Sequence, residues 1–120
     1  MLFRSRSVRQ IVFNLLSNSI KFTGAGGQVI VSTALDDGGD IVLRVRDTGA
    51  GMSEQELAIA LEPFRQLATS GRFGSSGTGL GLPLTKALAE ANRARFKIRS
   101  GVNAGTLVEV AFTGARLAAE

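Results

Sequence analysis

Gln28-Val29-Ile30-Val31-Ser32-Thr33-Ala34-Leu35-Asp36-Asp37-Gly38-Gly39-Asp40-Ile41-Val42-Leu43-Arg44-Val45-Arg46-Asp47 is the stretch that decides the fold class. Two β-rich runs, Gln28 to Leu35 and Asp40 to Asp47, flank Asp36-Asp37-Gly38-Gly39. Asp and Gly tolerate the backbone angles of a tight turn, so the runs read as adjacent antiparallel strands of a hairpin. Side chains alternate across a strand. Ile41, Leu43 and Val45 therefore point one way and Val42, Arg44 and Arg46 the other, which predicts one buried sheet face and one partly wet face.

Upstream of the hairpin, Val8, Ile11, Val12, Leu15, Leu16 and Ile20 recur at helical spacing between Ser5 and Phe22. This predicts an amphipathic helix, ended by the glycine-rich Thr23 to Gly27. Downstream, Thr48 to Gly51 reads as a tight glycine turn, followed by a short helix capped by Ser53 with Glu56 three residues on and closed by Pro63. Arg65 to Ser76 lacks periodicity and reads as a mobile loop, a lid of the length that is usually functional or disordered. A further helix spans Leu80 to Ala91, with Pro83 tolerated in its first turn. Arg95 to Ser100 and Thr106 to Phe112 alternate as two more strands about a Gly101 to Gly105 turn. The order predicts an α+β fold, a mostly antiparallel sheet with helices on one face.

The 120 residues, 44% hydrophobic and 20% charged, suit one globular domain with a single two-layer core, taken as residues 1–120. No apolar run approaches the roughly 18 residues of a membrane span, and the N-terminus lacks a secretion signal, so a soluble, cytoplasmic domain without membrane contact is expected. Zero cysteines exclude thiolate metal sites and thiol catalysis. Zero histidines remove the commonest general base and metal ligand, leaving carboxylates, amides, Lys, Arg and backbone for any chemistry. The net charge is +4, but the 14 basic residues look scattered and every aromatic residue is Phe, so no nucleic-acid partner is expected. A mildly basic surface suits an anionic ligand or an acidic partner instead.

Three segments carry chemistry. Gly77-Thr78-Gly79-Leu80-Gly81-Leu82 alternates glycine into a helix start, which can aim backbone N–H groups and a positive helix end at a phosphate. It is neither a P-loop nor a dinucleotide fingerprint, and a run of this kind also reads as a flexible loop. Asn14, Asn18 and Lys21 stand at i, i+4 and i+7, one stripe at the edge of the apolar helix face. Mid-helix asparagines are either exposed polar filler or, since an amide oxygen suits Mg²⁺ and lysine suits phosphate, ligands. Asp47-Thr48-Gly49-Ala50-Gly51 sets a carboxylate at a strand end, either capping a turn or accepting from an exocyclic amine such as that of adenine.

Together these segments resemble one family. Arg9-Gln10-Ile11-Val12-Phe13-Asn14-Leu15-Leu16-Ser17-Asn18-Ser19-Ile20-Lys21-Phe22-Thr23 resembles the N box of sensor histidine kinases, Asp47 to Met52 their first glycine box, and Gly77 to Leu82 their second. Pro63-Phe64-Arg65 is similar to the box before the lid, and Gly105-Thr106 to the last glycine motif. The match runs from Arg9 to about Val110 in the family's order. It implies the Bergerat ATP-binding fold shared with type II topoisomerases, Hsp90 chaperones and MutL proteins, a two-layer α/β sandwich with a mostly antiparallel mixed sheet and a mobile lid at about residues 65–77.

Carried over by position, the resemblance implies ATP and Mg²⁺ as ligands. Asn18 would hold the metal with Asn14 beside it, and Lys21 would contact phosphate. Phe22 would lie along the adenine, Asp47 would accept from its amine, and Gly49, Gly51 and Met52 would shape that side with Thr106. Thr78, Gly79, Leu80, Gly81 and Leu82 would wrap the phosphates, with Arg65 directed at the γ-phosphate. Asn14, Lys21 and Arg65 are the catalytic candidates. ATP-hydrolysing relatives carry a glutamate where this chain has Asn14, and an amide is no general base, so phosphoryl transfer is expected in place of hydrolysis.

The implied activity is that of a protein-histidine kinase of a two-component phosphorelay, donating the γ-phosphoryl group of ATP to a histidine on the dimerisation domain of the same protein. A response regulator and a homodimeric full-length protein follow as expected partners. Glu62 to Gln66, Leu82 to Leu88 and Glu90-Ala91-Asn92-Arg93-Ala94, the last in place of the family's usual Gly-Gly pair, are similar to the alphaproteobacterial cell-cycle kinases of the PleC, DivJ, PdhS and DivL group. That group includes kinase-like regulators of the DivL type, so a non-enzymatic ATP-sensing module is the alternative.

Overall fold

The computed structural model describes residues 2–62, 81–112 and 116–118. Their elements in chain order are β1 (Leu2–Arg4), α1 (Ser5–Phe22), β2 (Val29–Leu35), β3 (Ile41–Asp47), α2 (Glu54–Ala60), α3 (Gly81–Ala91), β4 (Ala94–Ser100), β5 (Thr106–Phe112) and β6 (Arg116–Ala118). No helix among the described residues is long and apolar enough to cross a membrane.

β2, β3, β5 and β4 form one sheet in that spatial order, and all three pairings are antiparallel. Leu43 faces Thr33 on one side and Val110 on the other, while Asp47 faces Val29 and Thr106. The β4–β5 hairpin thus docks through β5 onto β3. Parallel pairing among the described residues occurs only between the short β1 and β6, which the sequence reading did not foresee because three-residue strands carry no readable alternation.

α1 and α3 pack side by side against one face of the sheet. The spacing of Ile11 and Leu15 along α1 buries both, and they close on Leu43 and Val45 of β3, Val108, Val110 and Phe112 of β5, and Ala89 of α3. Burial of side chains of this size contributes roughly 1.5–3 kcal/mol each, which makes this layer the stabilising core. α2 starts with the expected capping box: Glu56 N donates to Ser53 Oγ and Ser53 N to Glu56 Oε1. Pro63, read as its stop, lies outside the described residues.

The alternation in β3 holds at its centre and changes at the hairpin end. Leu43 and Val45 are buried and Arg46 is exposed, as expected, but Ile41 is 37% exposed and Val42 only 7%. Ile41 stands beside the turn, at the end of the layer. Val42 lies in a row with Ala111 and Arg95, and Arg95 reaches back over that row to Asp40 (3.0 Å) and Asp36 (3.4 Å). Its aliphatic stem shields the row while its guanidinium stays wet.

Candidate functional site

At the C-terminal half of α1, Asn14 and Asn18 are half-buried, and the Nδ2 atom of each is enclosed without a hydrogen-bond partner among the described residues. Asn14 Oδ1 accepts from Gln10 Nε2 at 2.9 Å. Leaving such a donor unpaired costs about 1–3 kcal/mol. Exposed polar filler would avoid that cost by turning to water, as Lys21 does, whereas Asn14 and Asn18 are half-buried. Lys21, in the last turn, is exposed and makes no ion pair among the described residues.

The start of α3 closes on Asn18. A Cβ on Gly81 would stand 2.6 Å from Asn18 Oδ1 and 2.7 Å from its Nδ2, so only glycine lets the helix end approach the amide. Leu82 is buried beside it, and Thr85 Oγ1 donates to Gly81 O at 2.7 Å. An amide and the positive end of a helix therefore share one location.

Across the end of the sheet, Asp47 is 6% exposed. Its Oδ1 accepts from Gly49 N at 2.9 Å, and its other oxygen has no partner among the described residues. Asp47 thus caps a turn and still offers a buried acceptor. Gly49 packs against the end of α1, where a Cβ would stand 2.6 Å from Phe22 O. Gly51 (φ +70°) and Gly105 (φ +76°) have left-handed backbones, and a Cβ on them would overlap Gly101 O and Asp47 O respectively. The loop after β3 and the β4–β5 turn are therefore in backbone contact.

Ser100, which the sequence reading did not single out, ties this contact together. Its Oγ accepts from Met52 N at 2.8 Å, lies 2.8 Å from Thr106 Oγ1 and donates to Gly105 O at 2.9 Å. The signal for it is the register of β4 on β5, which sets Ser100 opposite Thr106. A serine at a strand end does not reveal that register by itself.

The described structure thus gathers Asn14, Asn18, Gly81 and Leu82 at the α1–α3 contact, and Asp47, Gly49, Gly51, Met52 and Thr106 at the sheet end. Phe22, half-buried, joins the two groups through its carbonyl behind Gly49. Arg65, Thr78, Gly79, Leu80 and the lid at about 65–77 lie outside the described residues. No cluster of three or more His, Cys, Asp or Glu side chains suited to a metal occurs among the described residues. At the α1–α3 contact the side-chain oxygens open to a divalent cation among the described residues include the amide oxygens of Asn14 and Asn18.

The chain matches the family described as histidine kinase-, DNA gyrase B- and HSP90-like ATPase over residues 4–115. It is 55% identical to the cell-division control histidine kinase PdhS of Brucella canis, over 97% of this chain and 12% of that protein. The PdhS of Brucella abortus is 52% identical over the same shares. The chain thus spans about an eighth of the curated relatives it matches. Among solved structures, the mycobacterial sensor histidine kinase MprB is similar with a TM-score of 0.77 and 26% identity, covering 90% of this chain and 72% of that one. Full-length ShkA, solved in complex with AMPPNP, gives a TM-score of 0.71 and 29% identity over 88% of this chain and 21% of that one. The catalytic domain of the histidine kinase ThkA shares the fold, with a TM-score of 0.74 at 20% identity over 92% of this chain and 68% of that one.

Proposed function

Because the chain belongs to the histidine kinase-, DNA gyrase B- and HSP90-like ATPase family, we propose that it is the ATP-binding catalytic domain of a two-component sensor histidine kinase. It donates the γ-phosphoryl group of ATP to a histidine on a separate dimerisation domain, releasing ADP. The observation that carries this reading is the pair of half-buried amides on α1 with unpartnered Nδ2 atoms, Asn18 set against the first residue of α3. Such N–H donors are kept at a cost in stability where an acceptor on a ligand, such as a phosphate oxygen or a metal-bound water, satisfies them.

In this reading Asp47 accepts from the adenine amine through the oxygen that Gly49 leaves unused, and Gly49, Gly51, Met52 and Thr106 shape that end, with Phe22 alongside the base. Gly81 and Leu82, with Thr78, Gly79 and Leu80, hold the phosphates by backbone N–H groups at the start of α3. Lys21 and Arg65 supply positive charge to them. The donor set suits Mg²⁺, a hard cation that takes oxygen ligands and keeps several waters, with Asn18 as ligand and Asn14 beside it. When bound, Mg²⁺ neutralises charge on the β- and γ-phosphates. The chain's own part is to position ATP and stabilise the charge, since the nucleophile comes with the acceptor histidine. Asn14 offers no base to activate water, which favours transfer over hydrolysis.

The whole of 1–120 acts as one such domain, within a cytoplasmic part of a homodimeric protein that passes phosphate to a response regulator. Calorimetric titration with ATP and ADP, with and without Mg²⁺, tests the site, and absence of binding overturns it. Adding a histidine-bearing helical domain and ATP tests the activity. An acid-labile phosphoprotein is expected; an ATP-dependent change in affinity for that domain without transfer would instead favour a nucleotide-sensing module.

A further inference from the structure

The outer face of the sheet, away from α1 and α3, gathers basic residues that lie far apart in the sequence. Leu43 and Val45, Phe96 and Ile98, and Val108 and Val110 point to the core. Arg44 and Arg46 of β3, Arg95, Lys97 and Arg99 of β4, and Leu107 and Glu109 of β5 therefore share the opposite face. Two of the five cations are neutralised within the face: Arg44 by Glu109 at 2.6 Å, and Arg95 by Asp40 and Asp36. Arg46, Lys97 and Arg99 are exposed and make no ion pair among the described residues.

Arg46 and Arg99 flank Leu107, and Ile30 lies beyond Arg46 on the edge strand. Ile30, Arg46, Leu107 and Arg99 form one row across the four strands, with Lys97 two residues from Arg99. Ile30 is 51% exposed and Leu107 half-buried. From strand geometry, Arg46 and Arg99 stand about 10 Å apart and Lys97 about 7 Å from Arg99. We infer that this row is a docking surface for an acidic protein partner, one whose carboxylates pair with Arg46, Lys97 and Arg99 while an apolar side chain covers Leu107.

Charge complementarity selects the occupant. An apolar centre with a charged rim is the layout of a protein interface. Three free cations fall short of the roughly 6–10 phosphate contacts of strong duplex binding, and of the roughly 4–8 basic residues of anionic-lipid recognition. The face has no aromatic side chain among its described residues, so single-stranded bases find no stacking partner.

The test uses the chain with a fluorescent peptide of Glu pairs separated by single Leu residues, followed by anisotropy and by amide NMR shifts. Binding that weakens with added salt and shifts the amides of Arg46, Lys97, Arg99 and Leu107 is expected. Arg46→Glu with Arg99→Glu lowers the affinity about tenfold, because two cations that pair with the peptide's carboxylates become repulsive to them. Arg46→Gln with Arg99→Gln gives a smaller loss in the same direction if the reversed pair does not fold. Lys86→Glu, which alters charge on α3, leaves peptide affinity within about twofold. The inference is overturned if the peptide does not bind, or if neither double variant weakens it. It is equally overturned if phosphatidylserine vesicles or duplex DNA bind more tightly through the same residues.

Discussion

Met52 N donates to Ser100 Oγ at 2.8 Å, a bond that joins residues 48 positions apart and fastens the loop after β3 to the end of β4. The same hydroxyl reaches Gly105 O and Thr106 Oγ1, so one side chain holds the backbone of the β4–β5 turn against the loop that follows Asp47.

Replacing Ser100 by Ala removes all three contacts and leaves Met52 N–H unpaired in a part-buried place. A stability loss of about 1–3 kcal/mol is expected in urea denaturation. ATP affinity falls as well, because the Gly105–Thr106 backbone no longer holds its place beside Asp47. A variant with lowered stability and unchanged nucleotide affinity would confine Ser100 to a structural role.

The approach of Gly81 to Asn18 makes a coupled pair. Gly81→Ala pushes a methyl group into the amide and costs about 1–3 kcal/mol as overpacking, whereas Asn18→Ala vacates that space. In a double-mutant cycle followed by chemical denaturation, the double variant is therefore more stable than the sum of the single changes implies. Additive effects would mean that the two groups do not touch in solution. Both single variants lose Mg²⁺-ATP binding in calorimetry.

A ligand-satisfied amide implies a trade between stability and binding. Asn14→Leu removes an enclosed donor that has no partner among the described residues and replaces it with an apolar group of similar size. The nucleotide-free chain gains about 1 kcal/mol, and Mg²⁺-ATP affinity drops. Thermal melts with and without Mg²⁺-ATP report both changes. Loss of stability in the nucleotide-free state would show that Asn14 is satisfied without a ligand.

These sites differ in how far the sequence reveals them, and locality is the reason. Val8, Ile11, Val12, Leu15 and Leu16 specify α1 by spacing alone, Asp36 to Gly39 specifies the β2–β3 turn, and Ser53 with Glu56 specifies the start of α2; each is a contact within a few residues. The Met52–Ser100 bond spans 48 positions and the docking of β5 on β3 spans 59 or more, separations for which no local pattern exists. The same reason hides the outer face. Arg44 and Arg46 alternate with apolar residues, as do Arg95, Lys97 and Arg99, so they look scattered until β5 pairs with both strands and brings them about 10 Å apart. Phe22, Gly49, Gly51 and Gly105 were legible as motif positions. Their backbone contacts show why glycine stands at three of them.

In the proposed function, the choice between transfer and hydrolysis rests on Asn14. It lies one turn before Asn18 on the same face of α1, with an amide that cannot take a proton from water. The isolated chain is therefore expected to bind Mg²⁺-ATP with negligible steady turnover. Asn14→Glu places a carboxylate at that position and raises phosphate release at least about tenfold, a small share of the roughly 10²–10⁴-fold a well-placed base contributes. Asn14→Gln, which has the same length without the charge, shows no such rise, separating proton transfer from a change of shape. Steady hydrolysis by the unaltered chain, abolished by Asn18→Ala, would instead assign it to the hydrolysing branch of the family.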